Sequence, residues 1–176
     1  MAIDALMADA LDPSQLSARV AFFFGPSRSG KSTALRLAGA IFGKDQVSGV
    51  SLRDMEKSPY AAAELYGKSV NIAADLHSGD LSDISVFKTL TGGDAIFASK
   101  KFGAAFTFTS WASVFFSANQ PPTVGGDPAY FARMLPIAFP KSYVGTEDPA
   151  VVVALVDHDI AQPAEQRRPA LMGRQQ

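Results

Sequence analysis

The chain has 176 residues, a formal net charge of -1, 47% hydrophobic and 19% charged residues, and no cysteine. That length and apolar content suffice for one folded domain with its own core and exclude the signature of a disordered chain. The near-zero charge excludes a globally basic nucleic-acid-binding face, so any such contact has to be local. The missing thiols exclude a disulfide framework, a cysteine nucleophile and cysteine-ligated zinc, in keeping with a reducing compartment.

Residues 2–10 read as a short helix that stops before Asp12-Pro13, since the residue preceding proline is pushed away from helical angles. The start MAIDALMADALDPSQ lacks the basic stretch and apolar run of a signal peptide, and no window reaches the length of a membrane span. The reading is of a soluble, unexported protein. Val20-Ala21-Phe22-Phe23-Phe24 is a continuous apolar run, as a strand covered on both faces needs, and it stops at Gly25-Pro26. A helix is expected from Lys31 to about Phe42, closed by Gly43. Ser51 to Tyr66 reads as helical with an interruption near Ser58-Pro59, Ser69 to Ala74 as a second strand, and Asp83 to Leu90 as a helix.

Ala95 to Phe108 alternates and turns at Gly103 like a hairpin, and Trp111 to Ala118 is a third strand candidate. Pro121-Pro122 and Gly125-Gly126 mark a loop, Ala129 to Met134 a short helix, and Leu135 to Phe139 a last strand. The tail QPAEQRRPALMGRQQ is polar and proline-broken and is expected to be poorly ordered. The expected organisation is a short helical segment over 1–19, a core over 20–140, and a C-terminal helix with a flexible tail over 141–176.

The segment GPSRSGKS at 25–32 satisfies G-x-x-x-x-G-K-[ST]. In that pattern backbone amides wrap phosphate oxygens and the following helix points its positive end at them. Gly25, Pro26, Ser27, Arg28, Ser29, Gly30, Lys31, Ser32 and Thr33 are therefore the candidate nucleotide-binding residues, with Lys31 on the outer phosphates and Ser32 on magnesium. A second acid, at the end of a neighbouring buried strand, has to hold the metal through water and polarise the attacking water. Asp75 is the candidate, with Asp80 and Asp83 as rivals.

Asn119, after Val114-Phe115-Phe116-Ser117-Ala118, offers a neutral amide where a strand end meets a terminal phosphate; before Pro-Pro it also reads as a turn former. Arg133 lies in an apolar stretch where an unpaired guanidinium is expensive, so it needs an anion. That anion is either a structural carboxylate or a phosphate on a neighbouring subunit. Lys100, Lys101 and Phe102 at the hairpin tip combine charge with an aromatic ring, which suits a nucleic-acid strand as well as an ordinary solvated turn.

From about residue 52 to 140, and with the loop GPSRSGKST, the chain resembles the phage/plasmid primase-helicase family, whose motor is a superfamily 3 helicase of the AAA+ class. The matching stretches are AAAELYGKSVNIAADL, VFKTLTGGDAIFASKKF, FTF, VFFSANQPP and AYFARMLPIAFP, in the family's order. The resemblance implies an α/β P-loop NTPase core with a mostly parallel central sheet flanked by helices and a projecting β-hairpin. It implies Asp75 as the Walker B acid, Asn119 as the sensor 1 residue, Arg133 as an arginine finger and Lys101 on the DNA-facing hairpin. ATP and Mg2+ would be the ligands, single-stranded or forked DNA the track, a hexameric ring the assembly, and a primase or initiator a further partner. A phage or mobile-element gene acting in a bacterial cytoplasm is also implied.

The acid is Asp75 where many relatives carry Glu, and Ser99 and Lys100 stand where relatives often carry Glu and Arg. LTGGD, with Asp94 at its end, is a family signature whose chemistry the residues do not disclose. The chain is short at both ends against the family, so the alternatives are a nucleotide-binding remnant without turnover, or another P-loop enzyme such as a small-molecule kinase.

Overall fold

The structure is a computed structural model that describes residues 20–73, 85–120 and 132–146, together with Asp148 and Ala150. The expected helix over 2–10, the loop at 121–126, the tail, and Asp75, Asp80 and Asp83 lie outside the described residues. Five strands form one sheet: β1 (Val20–Phe24), β2 (Val47–Ser48), β3 (Val70–Ala73), β6 (Ser113–Ala118) and β7 (Met134–Ala138). Their order is β2-β3-β6-β1-β7, and every pairing is parallel. β4 (Ala95–Ser99) and β5 (Ala105–Thr109) make a separate antiparallel hairpin.

The unbroken apolar run of β1 follows from its position between β6 and β7 with both faces covered. Val20 and Phe22 face a layer built from α2 (Leu52–Lys57), α3 (Pro59–Ala63), α4 (Ser85–Gly92) and the inner side of the hairpin. Ala21 and Phe23 face α1 (Lys31–Phe42), which contributes Leu35 and Ala38. Period-two alternation of side chains across the strand makes the two cores distinct.

Local chemistry explains the helix limits. The Ser51 hydroxyl accepts from the Asp54 amide at 3.1 Å and so caps α2. Pro59 takes the first position of α3, where its missing N–H is not needed, and thereby divides the helical stretch expected over 51–66. LTGGD ends α4: Gly93 takes φ 74, the Asp94 amide donates to the Thr89 carbonyl at 3.3 Å, and the chain turns directly into β4. The signature is thus, at least in part, a helix stop. The Lys44–Gln46 3-10 turn and the two-residue β2 had no counterpart among the expected elements, being too short to show periodicity.

Asn71, the residue that weakens the apolar pattern of β3, is 0% exposed. Its Oδ1 accepts from the Val50 amide and its Nδ2 donates to the Val50 carbonyl, both at 2.9 Å. The side chain clamps the segment after β2 as a further strand pairing would. Asn71→Ala is expected to lower unfolding free energy by about 2–3 kcal/mol, because two backbone groups lose their partner. Urea denaturation checks this as a shift of midpoint at constant slope; a loss below about 0.5 kcal/mol would be that of an ordinary surface change.

Candidate functional site

Phe24 pairs with Ala118, so Gly25 and Asn119 leave adjacent strands side by side at the carboxyl edge of the sheet. Gly25 has φ 151, and a Cβ there would lie 2.1 Å from the Phe139 carbonyl oxygen. The loop continues through Arg28 at φ 55 and Gly30 at φ 96 into α1. No side chain caps α1 and no acidic residue occupies its first turn, so the helix itself supplies nothing that offsets its positive end.

Lys31, 7% exposed, turns its ammonium back into the loop. It donates to the Gly25 carbonyl at 2.7 Å and the Pro26 carbonyl at 2.8 Å. The Ser29 hydroxyl and Asn119 Oδ1 each stand 3.3 Å away. A cation is therefore encircled by loop carbonyls and linked to the adjacent strand end. Ser32 is exposed and Thr33 half-buried in the first turn of the helix.

On the β7 side a second segment holds the loop. The Phe139 amide donates to the Phe24 carbonyl at 2.8 Å, and the Phe139 ring lies 5.5 Å from that of Phe23. The Ser142 hydroxyl donates to the Ser27 carbonyl at 3.1 Å, and the Tyr143 amide to the Arg28 carbonyl at 3.0 Å. Sequence reading missed this strap, since nothing in FPKSY marks a partner more than a hundred residues away.

Lys31 and Asn119 are thus brought together, while Arg133 is not with them. Arg133 immediately precedes β7, whose Met134 pairs with Val20, the first residue of β1. It lies at the amino edge, one residue before the β1–β7 pairing begins, roughly 20 Å of strand from Gly25 at ~3.3 Å per residue. For Asp75, β3 ends two residues earlier at Ala73, which pairs with Phe116, two residues before the end of β6. Among the described residues no cluster of three His, Cys, Asp or Glu side chains is placed to hold a metal.

The hairpin closes through a turn in which the Gly103 amide donates to the Lys100 carbonyl at 2.9 Å. Phe102, at the third turn position, takes φ 63, a conformation normally left to glycine or asparagine, and is 99% exposed. The Lys101 ammonium lies 5.4 Å from its ring centroid. Lys100 lies elsewhere: its ammonium is 5.8 Å from the Tyr66 ring and 5.9 Å from the Phe106 ring. Tyr66 meets Phe106 and Phe108 edge-on at 5.2 and 5.4 Å. The alternating Phe106 and Phe108 were a visible sign of an inner hairpin face, but Tyr66 as their partner was not legible.

This fold is similar to that of solved structures of the NrS-1 C terminal region and of JCV Helicase. The NrS-1 C terminal region (305–718) in its A form superposes with a TM-score of 0.68 at 12% identity, over 90% of this chain and 38% of that one. JCV Helicase, solved with a bound phenoxyphenyl acetamide, superposes at 0.61 and 14% identity, over 96% of this chain and 52% of that one. The chain therefore spans about two fifths to one half of the structures it resembles. The class defined is an α/β domain of helicase-like fold. The chain belongs to DUF5906, a family of unknown function, whose model matches residues 23–133. No curated protein matches the chain. Among the described residues no helix is long and apolar enough to cross a membrane.

Proposed function

We propose that the chain is the ATP-hydrolysing motor of a replication-type DNA helicase. The observation that carries this is the buried Lys31 ammonium, ringed by the Gly25 and Pro26 carbonyls and touching Asn119 at the uncapped start of α1. A cation held there, beside a helix amino end with no acidic residue in its first turn, suits the polyphosphate of a nucleotide. Lys31 turns from the loop carbonyls to the outer phosphates, and Gly25 to Thr33 wrap the chain of phosphates. Ser32 and Asp75 would hold magnesium, which would supply neutralisation of phosphate charge.

Asp75 and Asn119 orient a water against the terminal phosphorus. The new P–O bond forms as the bond to the bridging oxygen breaks, releasing ADP and phosphate. Arg133, distant from its own loop, serves the loop of a neighbouring copy, which calls for a ring, in keeping with a hexamer. Lys101 and Phe102 at the hairpin tip engage a DNA strand through a phosphate and a base.

The test is ATP hydrolysis by the purified chain over a range of protein concentration, with and without single-stranded DNA. Turnover is expected to rise with both DNA and concentration, and Arg133→Ala to lower it about a thousandfold, the lower range for an arginine finger. Turnover indifferent to DNA and to Arg133 would favour a kinase-like enzyme instead. Nucleotide binding with no turnover under any condition would leave a binding module rather than a motor.

A further inference from the structure

The two adjacent lysines of the hairpin do not share one position. Side chains alternate along β4, with Ile96 and Ala98 buried beneath it and Ala95 and Phe97 exposed. Lys100 continues the parity of Ile96 and Ala98, so it leaves the hairpin on the inner side, where Phe106 and Phe108 also lie. Its ammonium meets Tyr66 and Phe106 together. Lys101 and Phe102 are the central residues of the turn and project beyond the last strand pair.

Tyr66 belongs to the turn that follows α3, and Gly67 at φ 74 separates that turn from β3. Its ring sits edge-on to both phenylalanines of β5. The contact therefore joins the hairpin, at the protein surface where Tyr66 is 51% exposed, to the segment that leads into β3. A lysine beside two aromatic rings is attracted by both ring quadrupoles.

We infer that Lys100 and Tyr66 form a brace that sets the hairpin on the turn after α3, as positioning residues, and that the tip's nucleic-acid contacts are Lys101 and Phe102 alone. This rests on the helicase reading above. The brace carries strand engagement at the tip back to the nucleotide loop, so its removal uncouples DNA binding from turnover. Lys101, by contrast, contributes a phosphate contact and hence salt dependence.

The experiment measures binding of a fluorescein-labelled oligothymidylate by anisotropy over a range of salt, beside DNA-stimulated ATP hydrolysis. Lys101→Ala is expected to flatten the slope of log affinity against log salt by about 0.7, the value for one phosphate on a single strand. Lys100→Met is expected to keep that slope and to stay within roughly twofold in affinity, yet to lose most of the stimulation by DNA. Tyr66→Leu should reproduce the Lys100→Met behaviour, and Lys100→Arg should restore stimulation, because a guanidinium also stacks on aromatic faces. A Lys100→Met slope that flattens as much as that of Lys101→Ala overturns the inference while leaving the DNA reading intact. Failure of the unaltered chain to bind the oligonucleotide at any salt sinks the DNA reading and the brace with it.

Discussion

Lys31→Ala is expected to weaken binding of a fluorescent ATP analogue by at least about a hundredfold and to remove measurable turnover. The ammonium is the one charged side chain turned into the loop's interior among the described contacts, and it is within reach of two carbonyls, a hydroxyl and an amide oxygen. Bound phosphate would offer that ammonium anionic acceptors, a hydrogen bond to a charged group is worth about 1.5–3 kcal/mol, and about 1.4 kcal/mol is a factor of ten in affinity. Two such bonds account for the hundredfold. Lys31→Arg is not expected to rescue binding, since a planar guanidinium does not fit a ring of carbonyls shaped around a compact ammonium. Equilibrium titration checks both variants, and nucleotide affinity unchanged in Lys31→Ala would sink the phosphate-loop reading.

The second large effect falls on Gly25. A Cβ at this position would stand 2.1 Å from the Phe139 carbonyl oxygen and 2.9 Å from its carbon, both backbone atoms, and the residue is at φ 151. Relief requires β1 and β7 to part where the Phe139 amide bonds to Phe24 and its ring packs on Phe23. Gly25→Ala is therefore expected to cost about 3 kcal/mol or more, in the upper range for single substitutions. It should also loosen the carbonyl that Lys31 contacts most closely.

Gly43→Ala provides the contrast. Gly43 also has a positive φ, of 81, but a Cβ there would meet nothing within 4 Å. With ψ 151 the conformation is one that only glycine adopts readily, so the loss is expected to be about 1–3 kcal/mol, the backbone term without the clash. Urea denaturation of the two variants separates conformational strain from close approach. Equal losses would show that the Phe139 backbone yields readily and that the strap does not hold the loop.

Local patterns carried a large part of the architecture. Val20–Phe24 is a strand and Lys31–Phe42 a helix within the expected limits, because continuous apolar burial and a glycine-bounded helix are both written in neighbouring residues. Ser113–Ala118 and the 95–109 hairpin were equally legible, and Met134–Ala138 came out one residue earlier than read. Lys31 was identified from the spacing of GPSRSGKS, which is itself local. Asn119 was weak on its own residues, because an asparagine before two prolines serves a turn as well as a site.

What no local pattern contains is which strands become neighbours. Lys31 and Asn119, separated by 88 positions, touch only because β6 lies beside β1. Arg133 is removed from its own loop only because β7 runs parallel to β1, which sends its start to the opposite edge. Asn71 looks like a flaw in a strand until Val50 is placed against it. Lys100 and Lys101 differ by one position in sequence but by a face of the hairpin in space. The sequence by itself determined most of the elements and marked the candidate loop, since propensity, periodicity and turn residues act over a few positions. The tertiary structure decided the partners, because those contacts depend on strand order and on the side of a strand from which each side chain leaves.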